Sequence, residues 1–173
     1  PLLIQTKISG FGETGPLKEN PAYDMIVQAM GGIMSITGKD KNETYRVGSS
    51  IGDIVAGLYA VIGVLTQIIF RNQSKKGSRL DLSMLDCQVA ILENAIARYS
   101  VEKKIPCPLG TDHPSITPFG AFKTLDGTLA IAIGNNKMFK DFCYSIKNEE
   151  LHKKKKYENN AKRNKNLSDL RRD

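Results

Sequence analysis

The sequence predicts an α/β fold over about its first 110 residues, followed by a smaller α+β module. Three observations carry this. Strand-like patterns open the chain at Leu2 to Ile8 and recur where Leu80, Leu82 and Met84 alternate with Asp81 and Ser83. Between them an uncharged run from Ile54 to Phe70 is too long for a strand and suits a helix. Beyond residue 102 four prolines, Pro106, Pro108, Pro114 and Pro118, precede a strand–turn–strand pattern, and the architecture changes there.

The first strand covers about residues 3 to 9 and ends at Gly10 and Gly12. A Gly/Pro-rich loop from Glu13 to Pro21 leads to a helix over Tyr23 to Met30, with Met25, Ile26, Ala29 and Met30 on one side and Gly31-Gly32 stopping it. Residues 39 to 45 read as a polar surface loop. The second helix runs from about Asp53 to Arg71. Its length approaches that of a membrane span, but Gly57, Tyr59, Gly63, Thr66 and Gln67 interrupt it, so it reads as a buried core helix and no membrane partner is expected. A turn at Lys75 to Ser78, the strand at 80–84 and a third helix from Asp86 to about Tyr99 complete the first part. Phe119 to Lys123, the turn Leu125-Asp126-Gly127 and Thr128 to Ile133 form a hairpin, and Asn135 to Ile146 a last short helix.

The net charge of +7 is concentrated at one end. Residues 147–173 hold 10 Lys/Arg against 5 Asp/Glu, whereas residues 1–146 hold 15 against 13. The run Lys153-Lys154-Lys155-Lys156 lacks interleaved aromatics and any nucleic-acid-binding motif, so the segment reads as a solvated, partly disordered or helical basic tail with no nucleic-acid partner. Cys87, Cys107 and Cys143 are far apart and odd in number, which argues for a reducing, cytoplasmic setting over a disulfide scaffold. With only His113 and His152 there is no transition-metal cluster to expect. The chain starts without Met, inside a strand under way, and reads as an internal fragment.

Asp53 stands out chemically. It lies between the Gly/Ser-rich turn Val47 to Gly52 and an apolar helix, where the helix dipole and free backbone N–H groups favour an anion. Read by itself it is a capping residue or an ionised carboxylate aimed outward. Its context is more specific: Ser9-Gly10-Phe11-Gly12-Glu13-Thr14-Gly15-Pro16, then Pro21-Ala22-Tyr23-Asp24, Gln28 to Gly38, Gly52-Asp53, Ser74 to Asp86 and His113 to Phe119 follow in order. Over roughly residues 1–146 this series resembles the family III CoA-transferases.

The resemblance implies a parallel-sheet, dinucleotide-type domain followed by a smaller α+β domain. Residues 1–110 would be part of the large CoA-binding domain with the catalytic Asp53, residues 111–146 the start of the small domain, and residues 147–173 the tail. It implies an aspartyl nucleophile at Asp53 that forms an aspartyl-CoA thioester, with coenzyme A as a co-substrate and no permanently bound cofactor or metal. Pro21, Ala22, Tyr23 and Asp24 would lie beside the pantetheine of CoA. His113, Pro114 and Ser115 would occupy the place of a glycine-rich loop that closes over the intermediate in some members. Partners would be an acyl-CoA, a carboxylic acid and a second copy in an interlocked homodimer, with a mitochondrial location if a transit peptide preceded the chain. Related α-methylacyl-CoA racemases carry His at the position of Tyr23 and a carboxylate near Gly134-Asn135-Asn136; a phenol is a poor base for an α-proton, so both departures favour transfer. The alternative from another class is a non-catalytic interaction or membrane-associated fragment.

Overall fold

In a computed structural model, which describes residues 1–173, the chain divides into the units Pro1–Pro108 and Leu109–Asp173. The first unit runs β1 (Ile4–Ser9), α1 (Asp24–Met30), α2 (Ile33–Ile36), β2 (Gly38–Asp40), β3 (Glu43–Thr44), α3 (Ile51–Ser74), β4 (Ser78–Ser83), α4 (Met84–Ala90) and α5 (Glu93–Glu102). The second runs β5 (Phe119–Lys123), β6 (Thr128–Ala132), α6 (Asn136–Ser145), α7 (Glu150–Lys153), a 3₁₀ turn (Lys155–Tyr157), α8 (Asn160–Lys165) and α9 (Leu167–Arg172).

Strands β1 and β4 pair in parallel, Ile4 opposite Ser78 through Ser9 opposite Ser83. A parallel pair needs a long crossover, and α3 supplies it. This helix ends at Ser74, four residues before β4 begins, so its C-terminus lies at the amino edge of the pair. At about 1.5 Å per residue its 24 residues span roughly 36 Å, against roughly 20 Å for a six-residue strand. Its N-terminus therefore projects past the carboxyl edge, the end where open α/β sheets place their ligands. Close contact between helix and strand rests on Gly63, where a Cβ would fall 2.4 Å from Leu80 Cδ2. Val27, Val55, Ala56, Met84 and Cys87 form the buried cluster joining α1, α3 and α4.

Several elements differ from the sequence reading. The polar loop at 39–45 contains the small antiparallel pair β2–β3 with a register shift between Gly38 and Asp40. The third helix is two helices, α4 and α5, separated at Ile91-Leu92 with Glu93 at φ 33°. No glycine or proline marks that break, so apolar periodicity ran through it. The expectation that the Asp53 helix is a buried core helix holds only for its inward side: Gly52, Val55 and Ala56 are buried against α1 and α4, whereas Ile54, Leu58, Val61, Ile62, Leu65, Ile69 and Phe70 are about half exposed. One face packs on β1, β4, α1 and α4, and no other element of the first unit covers the opposite one. By length and composition alone α3 could cross a membrane.

In the second unit β5 and β6 form the expected hairpin, Phe119 opposite Ala132 and Lys123 opposite Thr128. The core is Ile133, Phe139, Cys143, Leu151, Tyr157 and Leu170. Three of these six belong to residues 147–173, so that segment is not a solvated tail. Its apolar side chains complete the core, while its lysines pair with nearby acids: Lys153 with Glu150, Lys154 and Lys156 with Asp173, and Lys162 with Glu158.

Candidate functional site

Asp53 occupies the third helical position of α3, exposed, in the turn where the unpaired N–H groups of the helix concentrate positive potential. Its carboxylate forms neither a hydrogen bond nor an ion pair within the chain. Ser50, the N-cap, does not bond the first turn through its hydroxyl. The cap comes from elsewhere in the sequence: Asp24 Oδ1 accepts from Gly52 N at 2.8 Å. Its other oxygen accepts from Gln28 Nε2 at 2.8 Å, and Gln28 Oε1 accepts from Val47 N at 2.8 Å. Gln28 is fully buried, and its amide also lies 3.4 Å from the carbonyls of Val47 and Ser49. The whole turn from Val47 to Gly52 is thus pinned to α1 from beneath, with Asp53 on top.

Gly52 is where this contact needs the smallest residue. A Cβ there would lie 3.1 Å from Asp24 Oδ1 and 3.4 Å from Val27 Cγ1. Gln88 of α4 is also fully buried against this wedge, and neither of its amide atoms has a partner. The sequence reading missed Gln28 and Gln88. The signal available for Gln28 was its i,i+4 spacing from Asp24, two polar residues on the side of α1 that faces the helix bearing Asp53.

Of the four residues expected beside CoA, Pro21 and Tyr23 are exposed, Tyr23 at 84%, and Ala22 packs on the α3 cluster. Asp24 is half-buried and engaged with Gly52 and Gln28. The segment 21–24 and Asp53 are therefore brought together, with Asp24 bonded to the residue preceding Asp53. At the carboxyl edge of β1, Glu13 N donates to Asp81 Oδ2 at 2.8 Å. The Glu13 carboxyl, held by Lys7 at 3.0 Å with Arg79 beside it, lies below the ordinary carboxylate range; the Lys7 hydrogen bond is the main cause. This fixes the loop that follows β1.

In the second unit His113 Nδ1 accepts from Ser115 N and Ile116 N, both at 3.1 Å, and the ring lies against Phe119 with centroids 5.1 Å apart. Pro114 and Ser115 are exposed. Asn135 caps α6 by accepting from Met138 N, and Asn136 accepts from Arg163, so both asparagines near the racemase-type position have structural partners.

An exposed carboxylate on a rigid turn at the positive end of a long helix is suited to nucleophilic attack on an acyl carbon. Comparison with known proteins agrees with the motif order. The family model described as CoA-transferase family III matches residues 1–173. A succinate–glutarate CoA-transferase of Agrobacterium fabrum is 38% identical over 143 residues, 83% of this chain and 36% of that protein. The succinyl-CoA:glutarate CoA-transferase of Homo sapiens is 35% identical over 170 residues, 98% of this chain and 39% of the relative. Among solved structures, a CAIB/BAIF family protein from Brucella suis superposes with a TM-score of 0.84 at 35% identity, covering 99% of this chain and 46% of that one. The chain thus spans less than half the length of these proteins. Since the match runs over all 173 residues and over both units, the chain belongs to CoA-transferase family III.

Proposed function

We propose that the protein moves coenzyme A from an acyl-CoA to a carboxylic acid through a covalent intermediate on Asp53. The observation that carries this reading is the exposed, unpartnered Asp53 carboxylate in the first turn of α3, on a turn fixed by the 2.8 Å contact between Asp24 and Gly52 N. The names of the relatives, one pairing succinate and the other succinyl-CoA with glutarate, support the choice of a carboxylic acid as acceptor.

In this reading the Asp53 carboxylate attacks the thioester carbonyl, giving an aspartyl–acyl anhydride and releasing the CoA thiolate. The thiolate attacks the Asp53 carbonyl, giving an aspartyl-CoA thioester and the donor's free carboxylate. The acceptor carboxylate then attacks that thioester, forming a second anhydride and freeing the thiolate again. Attack of the thiolate on the acceptor's acyl carbon yields the new acyl-CoA and regenerates Asp53. Every bond broken is replaced by one of similar energy, so no ATP is needed. Pro21, Ala22 and Tyr23 line the pantetheine path, and Asp24 acts through its hold on Gly52.

The test is mass spectrometry of the intact protein after incubation with succinyl-CoA. A CoA adduct on the peptide containing Asp53, discharged by glutarate, is expected. No adduct with any acyl-CoA, or an adduct on another residue, overturns the reading.

A further inference from the structure

Gln88 of α4 lies under the turn that bears Asp53, fully buried, with neither end of its amide bonded to the rest of the chain. An amide so placed costs stability that an apolar side chain of the same volume would not. The fold nevertheless makes room for this one. At Gly31, the C-cap of α1, a Cβ would lie 2.5 Å from Gln88 Cγ and 3.0 Å from Gln88 Cβ, so a residue without a side chain is needed for the Gln88 stem to pass. The amide itself ends at the Gly52 wedge. The point where a Gly52 Cβ would stand is 3.5 Å from Gln88 Oε1 and 3.1 Å from Asp24 Oδ1. The side chain thus reaches from α4 to the contact that fixes the turn, in which Asp24 Oδ1 accepts from Gly52 N at 2.8 Å.

Asp24 has acceptor capacity to spare. A carboxylate offers about four lone-pair sites, and this one takes a bond from Gly52 N and another from Gln28 Nε2. A half turn of the Gln88 amide exchanges its oxygen and nitrogen and presents Nε2 on the side where Asp24 Oδ1 lies. We infer that Gln88 is a positioning residue for CoA transfer: its amide holds the Asp24 carboxylate from α4 as Gln28 holds it from α1, and so sets the place of Gly52 and of the Asp53 carboxylate that follows. Two amides on different helices fix that carboxylate in a direction that α1 alone leaves free. Being fully buried, Gln88 does not itself touch substrate. The inference rests on the CoA-transfer reading for the role of Asp53.

The experiment compares the intact protein with the variants Gln88→Met, Asp24→Ala and Gln88→Met/Asp24→Ala. Methionine keeps the length and bulk of the side chain and removes the amide. Readouts are the thermal midpoint, the single-turnover rate constant for loading CoA onto Asp53 from succinyl-CoA, the succinyl-CoA concentration that half-saturates it, and amide hydrogen exchange at Gly52. Gln88→Met should melt within a few degrees of the parent, because the bond lost and the burial cost relieved nearly cancel. Its loading rate constant should fall about tenfold or more while the half-saturating concentration stays within about twofold, the signature of a displaced nucleophile and an intact substrate site. Exchange at Gly52 should quicken about tenfold. The double variant should load no more than about twofold slower than Asp24→Ala, since the amide acts only through that carboxylate. Parent-like loading in Gln88→Met, unchanged exchange at Gly52, or a double variant slowed by the product of the two single effects overturns the inference. So does a Gln88→Met chain that melts far lower and loses rate in proportion, which would assign the residue to packing. If the parent itself loads no CoA, the transfer reading fails, and exchange at Gly52 still decides whether Gln88 holds the turn.

Discussion

Two carboxylates meet at the same turn and are used in opposite ways. Asp24 faces inward and accepts from Gly52 N and Gln28, whereas Asp53 faces out with no partner in the chain. The substitution Asp53→Asn should therefore abolish transfer while leaving the thermal midpoint within a few degrees, because Asn is tolerated at a helix start; near-normal turnover in that variant would remove the residue from its role. Asp24→Ala strips two part-buried donors of their acceptor and should cost roughly 1–3 kcal/mol in stability. It should also slow transfer, by as much as about 10²-fold if the turn shifts by about 1 Å, and a variant with unaltered stability and rate would show that the turn holds without it. Asp53 was legible in the sequence because Gly/Ser turn chemistry and the apolar helix meet there. Asp24's hold on Gly52 was not, since it joins residues 28 apart and depends on α1 lying under the turn. The cysteines give a separate check. Burial pushes the Cys87 thiol up, with Asp86 adding to it, and burial also raises that of Cys143, whereas Cys107 is exposed. Iodoacetamide should modify Cys107 in the native protein and the other two only after denaturation, so rapid native labelling of all three would contradict the packing around α4 and α6.

At the scale of elements, the region after residue 147 is where composition was most misleading. Leu151, Tyr157 and Leu170 are spaced by 6 and 13 residues, with no single helical period, and lysines and asparagines fill the gaps, so no amphipathic pattern was visible. What makes them a core is the succession of short helices, with Asn159 capping α8 by accepting from Lys162 N at 2.9 Å. Asp173 closes this arrangement. Hydrogen bonds from Lys154, then Tyr157 and Lys156, hold its carboxyl far below the usual range. A depressed folded-state pKa adds stability that is present above the unfolded value of about 3.9 and is lost as pH falls through the folded one. The wild-type chain should thus be more stable than Asp173→Asn at pH 7, and the difference should shrink as the solution is acidified below about pH 4. Because the group is at the surface the difference should be small and should weaken with added salt. Melting curves of both proteins between pH 7 and pH 2 test this; a gap that stayed constant across that range would mean that the contacts of Asp173 contribute nothing through its charge.

At the scale of the whole molecule, the α/β class was legible in the succession of strand and helix patterns and a parallel sheet was implied by the family resemblance, whereas the pairing of β1 with β4 came only from the structure, where α3 supplies the crossover. That α3 would lack part of its packing partners followed from reading the chain as an internal fragment, but which face stays uncovered was not legible: an all-apolar helix states that it is buried in something without stating by what. Val55, Ala56 and Gly63 face the strands and α4, while Ile54, Leu58, Ile62, Leu65 and Ile69 repeat at intervals of three and four along the uncovered side. A polypeptide of these 173 residues studied alone should consequently bind a hydrophobic dye and self-associate as its concentration rises. Leu58→Lys with Leu65→Glu, both on the uncovered side, should suppress dye binding and association while leaving helix content unchanged. Gly63→Val, on the strand side, should instead reduce folded structure, because its side chain would collide with Leu80. Sedimentation and circular dichroism of the three chains separate the two faces. A parent chain that stays monomeric and silent to the dye at high concentration, or a charge pair that unfolds the helix as Gly63→Val does, would show that the exposed stripe is covered in solution.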